Sequence, residues 1–169
     1  MFFEFDGPDT VDHPELKRFV SDLEKHKAGE YLTVREMQRR GMISYSDRIL
    51  LFAWDKEFED FRCSFWGSRL TSIFGVELTG KYLAQIRLNQ EDMKQRFTDL
   101  YSTVFADRKC VRNRTMLPVT NTCKTSVGSI SWEQVSVPIS KPDGSDYGVL
   151  SYFAFKNQPA TRMRAWSYF

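Results

Sequence analysis

The sequence predicts an α+β fold: a five-stranded antiparallel sheet with short helices and one longer helix on one face, preceded by an amphipathic helix. Three observations lead there. Apolar residues recur at helical spacing over 12–28 and again from about 89, and they alternate or run continuously over 49–66 and beyond 109. Glycine-centred turn signals separate these runs. The length of 169 residues fits one domain.

The leading helix, placed over 12–28, sets Leu16, Phe19, Val20 and Leu23 on one stripe. Asp12 is its expected N-cap with Glu15 as capping-box partner, Pro14 is tolerated in the first turn, and Gly29 suits a left-handed stop. Over 30–45 the pattern is ambiguous, with Val34, Met37 and Met42 compatible with a short helix. The continuous apolar run Ile49-Leu50-Leu51-Phe52-Ala53-Trp54 reads as one strand. Residues 61–66 read as a second, with Phe61, Cys63 and Phe65 on one side and Arg62, Ser64 and Trp66 on the other. The acidic stretch between them, with Glu57, Glu59 and Asp60, is a solvated hairpin rather than a catalytic pair. A short helix capped by Ser68 then carries Leu70, Ile73 and Phe74 and stops at Gly75.

Asn89, with Asp92 three residues on, opens the strongest helix, whose stripe is Met93, Phe97, Leu100, Tyr101, Val104 and Phe105. Three strands follow at about 109–119, 130–140 and 147–156. A polar loop around Asn121-Thr122-Cys123-Lys124 separates the first two, and the turn Pro142-Asp143-Gly144 joins the last two.

Composition removes whole classes. Hydrophobic residues at 41% and charged residues at 27% exclude a disordered chain. A net charge of +2 is too weak to imply a polyanionic partner by itself. Cys63, Cys110 and Cys123 are odd in number and form no C-x-x-C pair, which predicts free thiols in a reducing compartment. The opening Met1-Phe2-Phe3-Glu4-Phe5-Asp6 lacks a basic region, and no apolar run approaches the ~18 residues of a membrane span. No leader or anchor is expected, and the protein is read as cytoplasmic. Residues 1–30 carry eight acids and four Lys/Arg, whereas residues 108–169 carry nine Lys/Arg and three acids. An acidic end lying against a basic one explains this better than a nucleic-acid face built from Arg108, Lys109, Arg112, Arg114, Arg162 and Arg164.

The order of elements resembles that of a PAS domain: two strands, short helices, one longer helix, three closing strands. Phe61-Arg62, Gly67-Ser68-Arg69, Phe74-Gly75 and Leu78-Thr79-Gly80 are similar to the most recognisable segment of small stand-alone PAS proteins of alphaproteobacteria. Val137-Pro138-Ile139 and the Asp143-Gly144 turn extend the likeness, which covers about 31–156. It implies a concave sheet wrapped over the short helices, with Phe74, Leu78 and Tyr82 facing back onto it. The chain accordingly divides into an extension and flanking helix over 1–45, a PAS-like domain over 46–156 and an aromatic, basic tail over 157–169.

PAS domains bind cofactors, small ligands or other proteins, and the fold does not say which. Haem takes an axial ligand, usually histidine, but the only histidines are His13 and His26 in the leading helix. Cys63 lies mid-strand in Arg62-Cys63-Ser64 and reads as a small core residue rather than a flavin-reactive thiol. No zinc spacing, nucleophile elbow, phosphate-binding loop or dinucleotide fingerprint is present in the sequence. The expectation is therefore a non-enzymatic adaptor without metal or cofactor, acting through protein contacts. Leu16, Phe19, Val20 and Leu23 would form the dimer or partner surface, together with the aromatic ends Phe2, Phe3, Phe5, Trp166, Tyr168 and Phe169. The alternative is a sensor holding a small apolar ligand between the sheet and the long helix. Its lining would be Cys63, Phe65, Leu70, Phe74, Phe97, Leu100, Met116 and Val135.

Overall fold

A computed structural model describes residues 5–6, 13–27, 29, 32–88, 91–120, 127–157 and 166–168. In chain order the elements are β1 (Phe5–Asp6), α1 (Pro14–His26), α2 (Val34–Met37), a 3-10 helix (Ile43–Arg48), β2 (Ile49–Asp55) and β3 (Asp60–Trp66). They continue with α3 (Ser68–Phe74), a second 3-10 turn (Leu83–Gln85), β4 (Ile86–Leu88), α4 (Glu91–Ala106), β5 (Cys110–Thr120), β6 (Val127–Ser140), β7 (Asp146–Asn157) and β8 (Trp166–Tyr168).

Five antiparallel strands form the main sheet in the order β5-β6-β7-β2-β3, and the two-residue β1 adds to β5 in parallel. The last long strand returns to the centre beside the first, with Ile49 opposite Tyr152 and Ala53 opposite Gly148. Gly148 is required there, because a Cβ on it would stand 1.8 Å from the Phe52 carbonyl oxygen. A second ribbon pairs β4 with β8, Leu88 opposite Trp166 and Ile86 opposite Tyr168. The aromatic ends are thus partly tied into the chain itself, since Phe5 pairs with Cys110. Phe2, Phe3 and Phe169 lie outside the described residues.

The central strands are apolar on both sides, so both faces need cover. On β7, Val149, Phe153 and Phe155 point to one core, which α3 and α4 close with Leu70, Phe74, Phe97 and Tyr101. Leu150, Tyr152 and Ala154 point to the other, which α1 and residues 32–45 close. The short helix α3 and the longer α4 lie on one face as expected, and the leading helix α1, to which no face was assigned, covers the other. Its stripe is spent within the chain: Leu16, Phe19 and Leu23 are 0% exposed and Val20 7%. Phe19 stacks on Tyr152 with ring centroids 4.4 Å apart. Four such side chains contribute roughly 1.5–3 kcal/mol each on full burial, which is why the helix stays on its own sheet. The stripe expected as a dimer or partner surface is therefore buried against the chain's own sheet instead.

The helix ends differ in detail from expectation. His13 caps α1, its Nδ1 accepting from the Glu15 amide at 3.3 Å, while Asp12 lies outside the described residues. The helix leaves through Lys27 in an extended conformation, so Gly29 is not its stop. Gly67 rather than Ser68 is the residue before α3, and Gly75 ends that helix at φ 73°, left-handed as expected. Gly144 likewise turns the chain between β6 and β7 at φ 82°.

Candidate functional site

The space between the sheet and α4 collects five of the eight expected lining residues. Cys63, Leu70, Phe74 and Phe97 share one buried cluster, and Leu100 packs against it. Rings occupy this space: Phe97 lies parallel to Trp132 at 6.4 Å, Phe74 meets Trp132 edge-on at 5.4 Å, and Phe52 meets Tyr101 edge-on at 4.9 Å. Phe65, Met116 and Val135 are not part of it. A bulge explains Phe65. Phe52 pairs with Cys63 but Leu51 with Phe65, so Ser64 is an extra residue that reverses the alternation. Trp66 enters the core instead, and Phe65 is left 42% exposed. Val135 pairs with Tyr152 and belongs to the α1 side. Met116, opposite Ser131, is 67% exposed.

Sequence reasoning missed a polar line buried under α4. Trp132 Nε1 donates to Gln134 Oε1 at 3.0 Å, Gln134 Nε2 donates to Ser136 Oγ at 3.2 Å, and Ser136 and Ser151 hydroxyls share a bond of 2.6 Å. The Tyr101 hydroxyl lies beside Gln134 and Ser151 without a hydrogen bond of full geometry to either. Burial pushes its pKa up, and those two neighbours only partly oppose that. The Cys63 thiol, also buried here, is pushed up to about 12 by burial, with the Glu77 charge adding to the effect. It is a packed thiol, not a nucleophile. The available signal was the run of polar residues Glu133, Gln134 and Ser136 inside an otherwise apolar strand.

At the rim, β3 is the outer strand of the sheet among the described residues. Its edge is partly covered, since Cys63 N donates to the Lys81 carbonyl at 2.8 Å and Gly80 N to the Cys63 carbonyl at 2.7 Å. Tyr82 was expected to face the core. Instead its ring sits 5.0 Å from Phe58 at the hairpin tip, and its hydroxyl donates to Asp55 Oδ2 at 2.8 Å. That bond holds the Asp55 carboxyl below its ordinary range and raises the tyrosine. Phe58 remains 61% exposed, so the β2–β3 hairpin carries two exposed phenylalanines, Phe58 and Phe65.

Of the basic residues on β5, Arg112 is engaged inside the protein. Arg112 is buried on β5, its Nη2 3.0 Å from Glu133 Oε2. Glu133 Oε1 takes Arg114 Nε at 3.2 Å and Lys156 Nζ at 2.7 Å. Arg112 therefore faces a carboxylate inside the protein rather than a phosphate outside it. Arg162 and Arg164 lie outside the described residues. His13 and His26 sit on α1, across the sheet from the α4 core.

Compared with known proteins, the chain matches no family model and no curated sequence. Among the described residues no helix is long and apolar enough to cross a membrane, and no group of three or more His, Cys, Asp or Glu side chains is placed to hold a metal ion.

Proposed function

We propose that the chain is a PAS-like, non-enzymatic module that acts through protein contacts, with a second copy of itself as the partner. The observation that carries the reading is the β2–β3 hairpin at the sheet rim, where Phe58 and Phe65 stay exposed while the aromatic core beside them is filled. The strand order supports the PAS likeness, since two leading strands and three closing strands form one antiparallel sheet around short helices and α4. The same rim meeting itself across a two-fold axis covers both copies at once.

A second reading, a sensor of a small ligand, is favoured by the Tyr101 hydroxyl, a buried polar group beside Gln134 and Ser151 without a well-formed bond. It places a ligand's polar atom there and its apolar body against Phe97 and Phe74. Native mass spectrometry of the purified full chain separates the two. The adaptor reading expects the mass of two chains with nothing added. A single chain carrying a retained small molecule supports the sensor, and a single bare chain overturns the self-association reading.

A further inference from the structure

A groove of about 500 Å³ opens where three chain reversals meet, at the end of the sheet where Trp54 and Phe105 pack against the edge of the α4 core. The size falls within the roughly 300–1,000 Å³ usual for small-molecule sites. Trp54 at the end of β2 and Phe105 at the end of α4 form one wall, their rings 5.3 Å apart and tilted by 30°, and Tyr147 lines it from β7. All three rings are half-buried, so each keeps a surface toward the groove.

The charges are one-sided. Lys56, Arg108 and Lys141 line the groove against a single carboxylate, Asp146. Arg108 already holds that carboxylate and also donates to Ser140 Oγ at 2.6 Å. Its left-handed backbone, φ 53°, turns the chain after α4 and sets the side chain across this wall. The nearby Asp143 is engaged by its own turn, accepting from the Ser145 amide at 2.9 Å and the Ser145 hydroxyl at 2.6 Å. Lys56 and Lys141 have no carboxylate at ion-pair distance among the described residues. The turn that carries Lys141 is fixed by two backbone bonds, Gly144 N to the Lys141 carbonyl and Lys141 N to the Ser145 carbonyl.

A concave surface with aromatic walls and two exposed ammonium groups, Lys56 and Lys141, the second also acting at longer range on Asp143, complements a flat ring bearing negative charge. We propose that this groove binds a small aromatic carboxylate, its ring against Trp54 and Phe105 and its carboxylate on Lys56 and Lys141. The inference does not depend on the adaptor reading, because it uses none of the same residues.

The test is an amide-resonance titration of the full chain with 2-naphthoate, run beside the neutral 2-naphthalenemethanol. Saturable shifts are expected at Lys56, Lys141, Ser145 and Tyr147. The alcohol should bind about three- to ten-fold more weakly, the effect of losing two exposed charge contacts. The double variant Lys56→Gln/Lys141→Gln should lose the same factor for the acid while keeping the melting temperature, because both side chains are exposed. Absent or unsaturable shifts at these amides would overturn the proposal. So would equal affinity for acid and alcohol, undiminished binding in the double variant, or shifts confined to the α4 core.

Discussion

Replacing Glu133 by glutamine removes a carboxylate that pairs with Arg112, Arg114 and Lys156 together. The arithmetic depends on burial. The side chains of Arg112 and Glu133 are 1% and 0% exposed, while those of Arg114 and Lys156 are each 44% exposed. The two outer contacts are screened by water and contribute roughly 0.2–1 kcal/mol apiece. The inner pair decides the outcome, because breaking a buried ion pair by removing one partner costs about 3–5 kcal/mol. Glu133→Gln is therefore expected to lower the unfolding free energy by about 3–5 kcal/mol in urea titrations at neutral pH. Removing both inner charges, as in Arg112→Met/Glu133→Met, should restore most of that loss, since apolar side chains then replace the whole buried pair. Burial acts to raise the Glu133 pKa, but the hydrogen bonds and charges of Lys156 and Arg112 outweigh it and hold the carboxyl below its ordinary value. Its stabilising contribution is thus present above the unfolded value of roughly 4.3 and is lost as pH falls through the lower folded value. Glu133→Gln should flatten that acid limb. A loss below about 1 kcal/mol, or a double variant as unstable as the single one, would refute the reasoning.

Phe19→Glu, which would part a helix-mediated dimer into folded monomers, is instead expected to unfold the chain, since Phe19 is buried on Tyr152. A loss of at least ~3 kcal/mol should show as collapse of the cooperative thermal transition by circular dichroism, and a native-like melt would return α1 to the surface. Gly75→Val should cost at least ~1 kcal/mol, because a β-branched residue is strained at φ 73°; unchanged denaturant midpoints would contradict the left-handed stop. In a Cys123→Ser background, Cys63 and Cys110, both buried with thiols pushed up to about 12 by burial, should react with a thiol reagent only at the rate of unfolding. Fast labelling of the native protein would mean that one of them lies open.

What was legible in the sequence was the set of elements with strong local causes. Gly75 and Gly144 mark left-handed turns by chemistry alone, and the stripes of α1 and α4 declare which side of each helix is apolar. Which surface meets that stripe is a tertiary matter. Leu16, Phe19, Val20 and Leu23 look the same in sequence whether they face a second copy or the back of their own sheet. The expected site failed at Phe65 for a different reason, because one extra residue at Ser64 inverts every side chain after it and leaves no compositional mark. Val135 was assigned to the wrong face by the same parity problem, since a strand buried on both sides has no alternation to read. The pairing of Arg112 with Glu133 joins residues from two strands, and sequence showed only the alternation of Arg112 and Arg114.

Self-association through the β2–β3 rim is tested most directly by sedimentation velocity over a wide concentration range, comparing the native chain with Phe58→Ser/Phe65→Ser. Both side chains are exposed in the single chain, so the variant should keep the native melting temperature. The account predicts a concentration-dependent dimer for the native chain and a folded monomer for the variant. A native chain that stays monomeric throughout, or a dimer that the two substitutions leave intact, would contradict it.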